Sequence, residues 1–199
     1  MNHLFQISFI TVFSLLVIIR ICFKIKARLY INVYSKAEGI TQIVIRSLIG
    51  LFHYTAVFLY IIFPQFFPWM YVVLPLWLRF AGIGLASGSL ILLFLAHASL
   101  GTSFSATINI KKDHRLVTTG PYKYMRHPMY VAYFTLFISA FFISGSWAIG
   151  LSGICIISIL MTFRLKKEEE LLIKKFKRRY LDYADSTHRF FPWPRKTRE

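Results

Sequence analysis

Long apolar runs separated by short polar ones dominate the chain, and their lengths decide its class. Residues 4–23 are apolar apart from Gln6, Ser8, Thr11, Ser14 and Arg20, and the run stops at Lys24, Lys26 and Arg28. A second run covers 40–63 and contains His53, and a third extends from about Leu74 to His97. Two more, 128–144 and 147–163, are separated only by Gly145 and neighbouring serines. A helix needs ~20 apolar residues to cross the hydrocarbon layer. The pattern therefore predicts an all-α polytopic membrane protein with five transmembrane helices, the last two a tight hairpin. The shortest run, 128–144, rises only ~26 Å as a helix, just enough to cross. The first run begins almost at Met1 without a basic leader or small-residue cleavage site, so it is expected to be a retained helix. One membrane domain over 1–199 is expected, with two spans in 1–66 and a core in 75–192.

Residue types between and within the runs fit that plan. Pro64 opens a loop whose Phe66, Phe67, Trp69 and Tyr71 suit a membrane–water interface. The third run carries Gly82, Gly84, Ala86, Gly88 and Ser89, small side chains that let a neighbouring helix approach. Cys22 and Cys155 lie inside apolar runs without metal-ligand spacing and read as packing residues. His53 reads as a hydrogen-bonded packing residue, although an ionisable group inside a span merits a test.

Charge then sets the orientation. The chain has 24 Lys and Arg against 8 Asp and Glu, but apolar runs of this length have no use in a nucleic-acid binder; basic loops facing anionic lipid explain the excess. If the loop after the first span is cytoplasmic, every Lys and Arg except Arg79 falls on that side. This predicts an outside N-terminus and a cytoplasmic C-terminus.

From Arg164 to about Tyr183 the sequence reads as a cationic cytoplasmic helix. At ~100° per residue, Leu165, Leu172, Ile173, Phe176, Tyr180 and Tyr183 share one arc. Glu169 falls inside the arc, Glu168 at its edge, and Glu170 points away beside Lys174. A carboxylate on an apolar face is costly unless it meets cations or donors, so Glu168 and Glu169 are expected to have partners. The aromatic and proline-rich segment His188–Pro194 is expected to fold back on the membrane surface.

The stretch Leu116–Tyr130, LVTTGPYKYMRHPMY, shares that cytoplasmic face. Pro128 suits the first turn of a helix, whose positive end beside Arg126 and His127 would attract a carboxylate. Tyr122, Tyr124 and Tyr130 offer flat faces for an adenine or a cation. Across from them Glu168 offers a partner for an ammonium or sulfonium, with Arg164 one turn earlier on the same side. This set fits S-adenosylmethionine with an acidic or lipid-like substrate. His127 has no second histidine at metal spacing, so no metal is expected.

The series His114-Arg115-Leu116-Val117, Gly120-Pro121-Tyr122, Arg126-His127-Pro128 and Tyr130, then Arg164, Glu168-Glu169 and the Phe176–Tyr183 segment, resembles the isoprenylcysteine carboxyl methyltransferase family, in a wider group that includes phospholipid methyltransferases. The resemblance covers roughly residues 75–192. It implies an S-adenosylmethionine-dependent O-methyltransferase, with S-adenosylhomocysteine as product. The cofactor would be held by His114, Leu116, Val117, Tyr122, His127, Pro128 and Tyr130, with Glu168 as its acidic contact and Arg164 orienting the substrate carboxylate. Gly120 and Arg126 in the loop, and Glu169 beside Glu168, complete the candidate cofactor set; Glu169 is also the candidate base if the acceptor is an amine. Ala132 and Lys177 stand where the family often has glycine. The acceptor stays open among a prenylated cysteine or peptide, another lipophilic thiol acid and a phospholipid amine. A sterol-type reductase and a non-enzymatic scaffold or channel are the rival classes.

Overall fold

The computed structural model describes residues 2–28, 40–101 and 115–192. Six α-helices run through them: α1 (Asn2–Arg28), α2 (Ile40–Ile62), α3 (Leu76–Leu100), α4 (Pro128–Ser144), α5 (Trp147–Phe176) and α6 (Arg178–Ser186). Single 3-10 turns occupy Pro68–Met70 and Gly120–Lys123, and no strand occurs among the described residues. Among the described residues three helices are long and apolar enough to cross a membrane: His3–Phe23 within α1, α3 and α5. Ser47–Ile62 and Pro128–Ser144 are shorter apolar helices.

Aromatic and aliphatic side chains from α1 to α5 form one core. Phe5, Phe9 and Leu16 of α1 meet Val57 and Tyr60 of α2, Leu90 and Leu93 of α3, Leu136 and Ile143 of α4, and Ile149 of α5. The Phe9 and Tyr60 rings meet edge to face at 4.8 Å, a favoured aromatic geometry.

Small residues set the closest approaches. A methyl at Gly82 of α3 would come within 2.7 Å of Phe142 Cβ on α4, and one at Gly150 of α5 within 2.6 Å of Phe141 Cβ. A methyl at Gly153 would overlap the Phe137 ring. Ser89 and Thr135 bond across α3 and α4 at 2.8 Å. Gly84 and Gly88, expected to admit a neighbour, face open space, because a helix presents only its i, i+3, i+4 stripe to a partner. His53 donates from Nδ1 to Ser152 Oγ at 2.8 Å, while Ser152 donates to Ala148 O. Its bond and its edge-on contact with Phe137 make it a hydrogen-bonded packing residue.

The C-terminal end departs from one continuous cationic helix to Tyr183. α5 runs unbroken from Trp147 to Phe176, carrying the charged extension 164–176 beyond its apolar run. It stops at Lys177, at φ 49° and ψ −124°, where α6 begins in a new direction. Lys177 N caps Ile173 O at 2.8 Å, and Lys177 O receives Tyr180 N at 3.2 Å. Past Ser186 the chain turns back along residues 125–127, where Met125 and His188 form a parallel bridge.

Candidate functional site

Local sequence fixes the first wall. Gly120 sits at φ 60°, so close to Ser99 of α3 that a Cβ would collide with it. The Gly120–Lys123 turn that follows buries Tyr122. Pro128 occupies the first turn of α4 with His127 as N-cap, as its missing N–H favours. The helix-start amides expected to draw an anion are partly engaged: Pro128 has none, His127 N binds Arg189 O at 3.0 Å, and Tyr130 N binds His127 O at 3.2 Å. The cationic side chain at this helix start is that of Arg126, which faces Glu169.

The second wall is the charged extension of α5. Its helical arc is as the spacing predicts for the glutamates: Glu169 is buried, Glu168 half-buried and Glu170 exposed. Ile173, on the predicted apolar arc, is exposed. The walls meet at two points. Tyr130 Oη donates to Glu168 Oε1 at 3.1 Å, and His127 Nε2 donates to Glu169 Oε1 at 3.2 Å. Arg164 Nε lies 3.7 Å from Glu168 Oε1. Arg126 Nη2 lies 3.6 Å from Glu169 Oε1.

Two residues outside the sequence-predicted set complete the constellation. Arg189 donates to both Glu169 oxygens, from Nε at 3.1 Å and from Nη2 at 2.5 Å. Tyr183 Oη donates to Tyr122 O at 2.6 Å. Glu169 on an apolar arc signalled that a cation must come to it, but nothing in the spacing named a residue from the aromatic tail. Of the remaining predicted residues, Leu116 and Val117 are half-buried at the start of the loop, Pro128 is fully buried and Tyr124 is exposed. His114 lies outside the described residues.

Electrostatics separates the two glutamates. Burial would raise the Glu169 carboxyl, but the bonds from His127 and Arg189 and the charge of Arg126 outweigh it and hold the group at about 2. Burial pushes the Glu168 carboxyl up, against the opposing pull of Arg164, His127 and Tyr130. Glu168 is thus an under-compensated carboxylate, a place where one more cation gains. Burial beside Glu169 also pushes the Tyr180 phenol up to about 12, and burial raises Tyr122. Among the described residues Arg126 Nε is buried without a hydrogen-bond partner, a donor suited to a carboxylate. Glu168 could meet a ligand's cation, and the Arg126 guanidinium a ligand's carboxylate.

Residues 81–174 match the model of the isoprenylcysteine carboxyl methyltransferase (ICMT) family. The chain is 35% identical over 104 residues to the protein-S-isoprenylcysteine O-methyltransferase of Saccharomyces cerevisiae, covering 46% of this chain and 39% of that protein. It is 33% identical over 100 residues to the enzyme of the same name from Dictyostelium discoideum, covering 46% and 40%. To a probable protein-S-isoprenylcysteine O-methyltransferase of Oryza sativa subsp. indica it is 34% identical over 112 residues, covering 50% and 53%. The matches thus span 39–53% of these relatives' own lengths. The solved structure of the eukaryotic intramembrane Ras methyltransferase ICMT superimposes with TM-score 0.53 at 22% identity, covering 79% of this chain and 54% of that one. The resemblance carried by the loop and glutamate motifs is therefore found again in family, relatives and fold.

Proposed function

We propose that this chain is an integral membrane methyltransferase that uses S-adenosylmethionine to methylate a lipophilic acceptor, most directly the carboxylate of a prenylated cysteine or a similar compound. The observation that carries the reading is the meeting of Tyr130 and Glu168 within the stretch that matches the methyltransferase family. The helices support a membrane domain of five spans closed by the α4–α5 hairpin, with the methyltransferase core over 75–192. The basic loops support an outside N-terminus and a site on the cytoplasmic face.

When bound, S-adenosylmethionine supplies an electrophilic methyl group. The chain's part is to bind and to align. Glu168, backed by Tyr130, would meet the ligand's cation. His114, Leu116, Val117, Gly120, Tyr122, Arg126, His127 and Pro128 would line its other faces. Arg164, one turn before Glu168, would hold the acceptor carboxylate. An ionised carboxylate needs no proton removed, so alignment is the main source of rate. A neutral amine acceptor would need a general base, and Glu169, held at about 2 by its partners, is too weak a base near neutral pH. In this reading Glu169 contributes to the cofactor site by holding its walls together.

Titration of the purified protein with S-adenosylhomocysteine and with NADPH tests the class. Binding of S-adenosylhomocysteine alone, weakened about tenfold or more in Glu168→Gln, is the expected result. NADPH binding would select a reductase, and binding of neither a non-enzymatic protein. Labelled methyl donor with a panel of prenylated thiol acids and phospholipid amines then identifies the acceptor.

A further inference from the structure

The contacts of Arg189 give the tail a part in the site. We propose that Arg189 is a positioning residue, which neutralises Glu169 and ties the Arg126–His127 loop to α5, so that Glu168 is left as the carboxylate that meets the ligand's cation. The inference rests on the methyltransferase reading above.

A closed circuit of contacts supports it. The Arg189 guanidinium grips Glu169 through both oxygens, the paired geometry that an arginine fork offers and a lysine cannot. The Arg189 carbonyl receives His127 N at 3.0 Å, and the His188 carbonyl receives Arg126 N at 2.9 Å. His127 closes the circuit by donating its Nε2 to Glu169. One residue of the tail therefore holds the first wall by its backbone and the second by its side chain. The guanidinium is 53% exposed whereas Glu169 is 10% exposed, so the pair joins the surface to the buried cluster.

Charge explains why the circuit matters for Glu168. Adjacent uncompensated carboxylates would compete for one cation, and without Arg189 the contacts of Arg126 and His127 alone would have to balance Glu169. With Arg189 in place Glu169 is saturated, and the under-compensated group is its neighbour.

The test uses the full chain, with S-adenosylhomocysteine binding and steady-state methyl transfer as readouts. Arg189→Gln should weaken S-adenosylhomocysteine binding about tenfold while shifting the KM for the acceptor by less than about twofold. Arg189→Lys, which keeps the charge and loses the fork, should recover less than half of that loss on a logarithmic scale. The double variant Glu169→Gln, Arg189→Gln should bind about as Glu169→Gln alone, since members of one network do not add. Wild-type affinity in Arg189→Gln, or losses that multiply in the double variant, would overturn the inference. If Arg189→Gln does not fold, Arg189→Lys decides: wild-type affinity there overturns the inference, and a several-fold loss without a change in acceptor KM supports it. Failure of the wild-type chain to bind S-adenosylhomocysteine would instead remove the methyltransferase reading, and this inference with it.

Discussion

The two ends of the helix bundle satisfy their polar groups by different means. Where α4 turns into α5, side-chain donors meet backbone carbonyls. Arg79 donates to Ile143 O from Nη2 at 2.7 Å and from Nε at 3.2 Å, and Trp147 Nε1 donates to Trp69 O at 2.9 Å. At the opposite end the acceptors are carboxylates, and their partners come from a loop, from α4 and from the tail. A helix-end carbonyl is a neutral group that a single nearby donor can satisfy. A buried carboxylate needs cations brought from elsewhere in the sequence. The first arrangement closes a bundle; the second ties the loop, α4 and the tail to the charged end of α5.

Removing the arginine assigned to the acceptor should have the largest effect. Arg164→Ala should lower methyl transfer to a carboxylate by about a hundredfold or more, the scale of lost alignment. Binding of S-adenosylhomocysteine should stay within about threefold, because Glu168 then loses a competing cation. Full turnover in a labelled-methyl assay would refute the assignment of Arg164.

Next in size is the acid response of Glu169. Its folded value of about 2 lies below the ordinary 4.5. Its contribution is therefore fully present above pH 4.5 and lost as the pH falls from there toward 2. With the half-exposed Arg189 discounted for solvent screening, the amount is about 2 kcal/mol. Unfolding in detergent as a function of pH should show that loss in the wild-type chain, and Glu169→Gln should flatten it. At the other end, Arg79→Met should cost about 1 kcal/mol of stability and leave S-adenosylhomocysteine binding unchanged. A change in binding would mean that the two ends are coupled.

How far each end was legible follows from the same contrast. The apolar helices could be read because apolar run length is a local property, and the glutamate arc because helical period is one too. Gly84 and Gly88 show the limit: small size marks where a helix can approach and leaves open which face it takes. The motif residues of the loop were legible as a set, and the structure brings Tyr130 and His127 to the two glutamates. Arg189 was not, because its partner is 20 residues away across a chain reversal, and only that reversal brings its guanidinium to Glu169. The reversal itself was half legible: prolines and aromatics announced that the tail leaves the helix, while the helix break at Lys177 carried no sequence signal of its own beyond standing where the family often has glycine.

That break yields the smallest effect, and one of opposite sign. Lys177 is the non-glycine residue with positive φ among the described residues, and its φ of 49° with ψ of −124° crowds a Cβ against the backbone. Glycine reaches that conformation without the clash and gives back part of the gain as unfolded-chain entropy. Lys177→Gly should therefore stabilise the chain by about 1 kcal/mol, whereas Lys177→Ala, which keeps a Cβ, should not. Both should bind S-adenosylhomocysteine as the wild type does, since the direction of α6 is fixed independently by Tyr183 on Tyr122 O and by the pairing of the tail with residues 125–127. Thermal unfolding of the three proteins in one detergent gives the comparison. Equal stability of Lys177→Gly and Lys177→Ala would show that the turn is not strained, and weaker ligand binding in Lys177→Gly would show that this lysine, and not the contacts beyond it, aims the tail at the site.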